Sequence, residues 1–311
     1  VSNNEPTLRA IPGPATETSF ISPSRISSKL LQRTGRTFWI FWRACSAILL
    51  FSVLLMIYAA GWEYSTRRYL EGFSDAIVPA NLEPVGQIQA ILKWMSGPAA
   101  EDTGPSQISH NRNPDDTLNY SSLLKVCGTA TNAFINLADS SGLRARRLLL
   151  LDSNRTTVHV VAEVLIRGRW IVVDPVFRFI PRGPDGSLLT REQLADPATL
   201  AQATRNVSGY PAAYNFQRTS HVHLGRIPYV GRPLHRLLHA TVPGWSSSWE
   251  ISLVLERSSL ALLVFSVVLL LAVLFLRLGL RWYAAARLNL RPPHLHTRFA
   301  RAGMAFFRVA Q

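Results

Sequence analysis

The 311 residues leave room for one or two domains, and a mean hydropathy of +0.12 with 48% hydrophobic residues is high for a soluble protein. A net charge of +14 suggests a nucleic-acid partner, but its distribution excludes that reading. Residues 62–257 hold 20 Lys+Arg against 17 Asp+Glu, and the flanks hold the other 13 basic and 2 acidic residues.

In chain order, residues 1–37 are rich in Ser, Pro, Thr and Arg without apolar periodicity, and read as a disordered cytoplasmic tail. A first apolar run follows from Phe38 to Trp62, free of charge between Ala44 and Gly61, and a second runs from Ser258 to Leu276. A bilayer core needs roughly 20 mainly apolar helical residues. Both runs meet that need and neither has a polar face, so transmembrane helices are expected at 38–61 and 258–280. Arg25, Lys29, Arg33, Arg36 and Arg43 surround the start of the first; Arg277, Arg281, Arg287, Arg291, Arg298, Arg301 and Arg308 follow the second. Positive residues stay on the cytoplasmic side. Both ends are therefore expected inside, including a basic tail at 281–311, with residues 62–257 as an extracytoplasmic domain. The length of the region before the first run favours an uncleaved anchor over a signal peptide ending near Gly61.

Within that domain, Ile88, Ile91, Leu92 and Met95 sit at i, i+3, i+4 and i+7, which predicts an amphipathic helix over Pro84–Ser96. Residues 97–118 read as a long loop. Leu124 to Leu143 has helical spacing, with Cys127, Thr131, Phe134, Leu137 and Ala138 along one face and Gly142 where a helix is commonly closed. Strands are expected over Arg147–Leu151, Val158–Ile166 and Trp170–Val173, the last two joined by a turn at Arg167-Gly168. Pro181–Gly186 reads as a turn, Thr190–Gln193 as a capping box, and Asp196-Pro197 as the cap and first position of another helix. Arg205 to Trp249 shows no clear period.

The chain has two cysteines, Cys45 in the first apolar run and Cys127 in the domain, placed in different compartments by this topology. A lone cysteine outside the cytoplasm is either a small buried hydrophobe or a reactive thiol. A nucleophilic thiol needs a lowered pKa, a base, and a group that orients the base. Cys127 lies in the first turn of its helix, where the dipole favours thiolate. His159 and Asp174 supply the other two parts. With a two-residue turn at Arg167-Gly168, Asp174 falls opposite Val161, and His159 lies two residues away on the same face. Such diagonal neighbours are roughly 7–8 Å apart at the backbone. One extra turn residue would separate them onto opposite faces.

The series Cys127 … Gly142-Leu143-Arg144-Ala145-Arg146 … His159-Val160-Val161-Ala162-Glu163-Val164 … Trp170-Ile171-Val172-Val173-Asp174-Pro175 resembles the transglutaminase-like superfamily over about fifty residues. The resemblance implies an α+β, papain-like core in which a helix bearing the cysteine packs on an antiparallel sheet bearing His and Asp. It also implies Cys127, His159 and Asp174 as a catalytic triad for acyl transfer through a thioester, without a cofactor or metal. The expected substrate is a protein or peptide amide outside the cytoplasm, with the lipid bilayer as the other partner and no nucleic acid. Many relatives carry Gly at or next to the position before the nucleophile; here Lys125-Val126 precede Cys127 and Gly128 follows. The Cys127 N–H is the assigned oxyanion donor, with Asn119, Tyr120 and Ser121 as upstream polar candidates.

Rival signals have plainer readings. His221-Val222-His223 and His235 with His239 could assemble imidazoles around a metal, but no carboxylate or cysteine is close in sequence, so hydrogen-bonded or solvated histidines are expected. Glu163 shares the parity of His159 and is expected to pair with an arginine, and Trp170 to serve as a core or cleft wall. A catalytically inactive scaffold domain of a cell-envelope assembly is the alternative function.

Overall fold

The computed structural model describes residues 23–96, 118, 126–222, 231–242 and 244–287. The elements are α1 (Pro23–Ile77), α2 (Pro84–Trp94), α3 (Cys127–Ser140), β1 (Ala145–Leu151), β2 (Thr157–Ile166), β3 (Arg169–Val173), α4 (Arg191–Leu194), α5 (Pro197–Thr204), β4 (Thr219–Ser220), α6 (Gly231–Thr241), α7 (Trp249–Glu256) and α8 (Ser258–Arg287). The fold is α+β, with a four-stranded antiparallel sheet in the order β3-β2-β1-β4.

Local chemistry accounts for most of these boundaries. Helix α2 starts on Pro84, whose missing N–H is no loss in a first turn. It buries Ile88, Ile91, Leu92 and the following Met95, the predicted stripe. Helix α3 closes at Gly142 (φ +82°). There the Leu143 N–H reaches Ala138 O at 2.9 Å and the Gly142 N–H reaches Asp139 O at 3.0 Å, the paired bonds of a Schellman motif. The β2–β3 hairpin turns on Arg167 (φ +49°) and Gly168 (φ +80°), both left-handed as a two-residue I′ turn requires. Its register pairs Ile166 with Arg169 and Ala162 with Val173, as the parity argument expects. The Thr190 N–H donates to Gln193 Oε1 at 3.0 Å, and Asp196 accepts from the Thr199 N–H at 2.9 Å. These are the two predicted caps.

The sheet has a core on each face. Ala145, Ala162, Val164, Ile171 and Val173 pack with Ala130, Phe134 and Leu137 of α3 and with the α2 stripe. On the other side Leu148, Leu150, Val161 and Val172 meet Leu189, Leu194 and Phe216. Helix α3 is thus pinned between the sheet and α2, with Ala130, Phe134 and Leu137 fully buried.

The two long helices depart from the expected boundaries. Residues 23–37, read from sequence as disordered tail, form the first turns of α1. After Pro23 they contain no proline, and Arg25, Lys29, Leu30, Leu31, Gln32, Arg33 and Arg36 are good helix formers that extend a helix already nucleated by the apolar run. Helix α1 also continues past Trp62 to Ile77, and α8 runs through 281–287, which were read as tail. Residues 1–22, the predicted loop at 97–117 and the tail beyond 287 lie outside the described residues. Within Thr37–Ile77 and Ser258–Arg287 both helices are long and apolar enough to cross a membrane. Their large apolar side chains face outward, Phe51 at 60% and Phe275 at 70% exposure.

By contact the chain divides into two units, residues 1–50 with 272–311 and residues 51–271. In the first, Phe38 and Trp42 pack with Ala284, and the Arg277 guanidinium lies over the Trp42 ring at 4.5 Å. The second contains the sheet, its helices and the site.

Candidate active site

Cys127 is the first residue of α3, with Val126 extended before it (φ −135°) as N-cap. The thiol therefore sits at the positive end of the helix dipole, where the Thr129 and Ala130 N–H groups close the first turn on Val126 O at 3.0 and 3.2 Å. Thr131, one turn on, donates to Val160 O at 3.0 Å and fixes this end of α3 against β2. Arg147 Nη2 reaches Gly128 O at 3.4 Å and anchors it to β1.

His159 follows an irregularity in the sheet. Leu150 pairs with His159 but Leu151 with Thr157, so Val158 is an extra residue. A bulge of this kind bends a strand and re-aims the side chain beside it. Asp174 comes one residue after β3. Its backbone N–H and C=O exchange bonds with Phe179 at 3.0 and 3.2 Å. Its Oδ1 accepts from the N–H groups of Val176 (3.0 Å) and Phe177 (3.2 Å). The other carboxylate oxygen, Oδ2, lies 2.8 Å from His159 Nε2. Both His159 and Asp174 are 1% exposed.

With Nε2 committed to Asp174, Nδ1 is the ring nitrogen left for a proton from sulfur. It is buried and makes no hydrogen bond of standard geometry in this resting arrangement. The Cys127 thiol and the ring are neighbours that shift each other's protonation. Burial pushes the thiol pKa up, but the neighbouring His159 imidazole, followed by the Val160 and Gly128 backbone, outweighs it and brings the pKa below its ordinary value. Burial opposes charge on His159 as well. The hydrogen bond to Asp174, with the neighbouring Cys127 and the charges of both, prevails, and its pKa is pushed up to about 9. Thiolate and imidazolium stabilise each other, the state a cysteine nucleophile needs.

The three residues singled out in the sequence therefore meet in one place. Asn119, Tyr120 and Ser121 lie outside the described residues. Glu163 takes the predicted structural role. Its Oε2 receives Arg146 Nε at 2.7 Å and contacts His221 Nε2 at 2.8 Å, and the Arg146 guanidinium lies 3.8 Å over the Trp170 ring. His221 is thus hydrogen-bonded, and His239 lies exposed on α6. The side chains of His223 and His235 lie outside the described residues. No group of three or more metal-binding side chains occurs among the described residues.

The sequence reading missed an aromatic wall. Tyr214 stacks on the His159 imidazole with ring centroids 4.1 Å apart and planes 6° from parallel. Phe177 meets the imidazole edge-on at 6.0 Å, and Tyr210 packs on both Phe177 (4.9 Å) and Tyr214 (5.6 Å). Burial and the charge of Asp174 push the Tyr210 hydroxyl pKa upward, and burial with the charges of Cys127 and Asp174 does the same for Tyr214, so both stay protonated. The available signal was the alternation Phe177-Arg178-Phe179 and the spacing Tyr210…Tyr214, which resembled generic loop aromatics. Compared with models of protein families, with curated proteins and with solved structures, the chain has no match in any of the three.

Proposed function

We propose that this protein is a membrane-anchored, transglutaminase-like cysteine acyltransferase or amidohydrolase acting outside the cytoplasm, built on a papain-like core. The observation that carries the reading is the 2.8 Å bond from His159 Nε2 to Asp174, in a ring whose remaining nitrogen is left for the Cys127 thiol. A buried carboxylate, an oriented imidazole and a thiol at a helix N-terminus are the three parts of a nucleophilic triad.

The steps follow from the groups present. The thiol proton passes to His159, and the Cys127 sulfur attacks the carbonyl carbon of an amide. The Cys127 N–H, free of any helical acceptor, is placed to receive the developing oxyanion. The carbonyl–nitrogen bond breaks as imidazolium gives its proton to the leaving amine, and a thioester remains on Cys127. An amine or water then attacks the thioester, His159 takes the proton from that nucleophile, and the thiol is regenerated. An amine gives a new amide, and water gives a carboxylic acid.

Membrane anchoring rests on the two apolar helices and on the basic residues around them. The positive-inside rule places both ends in the cytoplasm and the domain on the other side. In the full chain in detergent micelles, iodoacetamide is expected to label Cys127, and Cys127→Ala to abolish labelling of residues 62–257. Labelling of Cys127 that proceeds at an unchanged rate in His159→Ala would overturn the nucleophile assignment. A Cys127 that labels no faster than an ordinary thiol would favour the scaffold reading.

A further inference from the structure

Tyr214 reaches His159 from the segment between α5 and β4. Its ring covers the imidazole at 4.1 Å and within 6° of parallel. It is itself partly exposed while His159 is 1% exposed, so Tyr214 is an outer cover on the imidazole. The groups around the imidazole come from every element packed on it. They are Asp174 after β3, Cys127 from α3, Phe177 after Asp174 and Tyr214 itself. Tyr210 backs the stack from the far side of Phe177 and Tyr214.

Two physical consequences follow. A parallel ring within van der Waals distance blocks rotation of the imidazole, keeping Nε2 on Asp174 and Nδ1 toward sulfur. The electron-rich face of a phenol ring also attracts a cation and is indifferent to a neutral partner. The same contact therefore favours imidazolium over imidazole, and through it thiolate over thiol. We propose that Tyr214 is a positioning residue for the Cys127–His159 pair, its ring face holding the imidazole in plane and stabilising its charged form. This rests on the chemistry proposed for Cys127 and adds a residue on which its reactivity depends.

The test is the pH profile of iodoacetamide alkylation at Cys127, read by peptide mass in the full chain in detergent micelles. Tyr214→Leu and the more adaptable Tyr214→Met keep apolar bulk and lose the π face. Both are expected to move the acid limb upward, so that alkylation near pH 6 falls about tenfold, while Tyr214→Phe rescues the wild-type limb. A wild-type limb in the Leu or Met variant, or a Phe variant shifted as far as they are, would overturn the proposal. Failure of both apolar variants to fold would do the same, because Tyr214 would then be a core residue. His159→Ala separates the two levels of the account. If removing the imidazole leaves the limb in place, the thiol–imidazole pairing itself is wrong. If His159→Ala moves the limb and the Tyr214 variants do not, only the role of Tyr214 is lost.

Discussion

Asp174 contributes to the site through two oxygens with separate duties, one held by the Val176 and Phe177 N–H groups and one turned to His159. Asp174→Asn preserves the shape but replaces the acceptor facing Nε2, so the imidazole loses both its orientation and the charge that favours protonation. Acyl transfer is expected to fall by roughly 10³–10⁴-fold. The pH window should narrow as well. His159 has a folded pKa of about 9, above its ordinary 6.5. Its contribution to stability is therefore complete below about pH 6.5 and lost as pH rises through about 9. The Cys127 pKa lies below its ordinary 9.0, and its contribution is present above that value and lost as pH falls through the lowered one. The ion pair lives between the lowered thiol value and about pH 9. In Asp174→Asn the alkaline limb should move down from about 9 toward 6.5, and a pH–rate profile checks it. Cys127, His159 and Asp174 were legible because each lies at a sequence-marked position: a helix start, a strand, a hairpin end. Tyr214 was not, since its position depends on how an aperiodic segment returns across the sheet.

Among the elements, the β2–β3 hairpin controls the site most directly, because its two-residue turn sets the parity that puts Asp174 and His159 on one face. Arg167 occupies a left-handed position (φ +49°) better suited to Asn. Its ion pair with Glu83, at 3.5 Å with both side chains at least 80% exposed, adds little. Arg167→Asn is expected to stabilise the fold by about 0.5–1 kcal/mol without changing activity, seen as a higher unfolding midpoint in detergent. Turns and caps of this kind are local chemistry, and the Gly142 closure, the Gln193 bond and the Asp196 cap were all foreseen. Strand β4 and helix α7 were not. The two residues of β4 exist by pairing with Leu149 and Leu150. Helix α7 is fixed by distant partners, with Ser252 Oγ accepting from the Arg147 N–H at 2.8 Å and Glu256 receiving Arg147 Nη2 at 2.6 Å.

Across residues 51–271 as a whole, a buried polar chain joins the apolar helices to the helix that carries the thiol. Arg257, 1% exposed between α7 and α8, bonds Glu63 of α1 (3.1 Å) and, on α3, Asn136 (3.0 Å) and Asp139 (3.1 Å). Glu63 also accepts from Ser259 at 2.7 Å. Asn136 bonds Asn132, Asn132 bonds Glu256, and Glu256 bonds Arg147, which holds the Gly128 carbonyl in the first turn of α3. In the proposed topology this chain lies where both spans enter the domain. Removing one member leaves charge buried without its partner, so Arg257→Met should cost about 3–5 kcal/mol. A lower thermal midpoint in detergent checks this, and adding Glu63→Met should recover part of the loss. The two long apolar helices were legible from composition alone. This polar chain was not, because it joins residues nearly two hundred positions apart.

The central claim is that Cys127 carries an acyl group during turnover. Brief exposure of the full chain to p-nitrophenyl acetate, followed by intact and peptide mass, tests it most directly. The account predicts one acetyl group per chain on Cys127, removed by added amine or by water, and absent in Cys127→Ala and His159→Ala. Acetylation that misses Cys127, or that proceeds unchanged without His159, would contradict it.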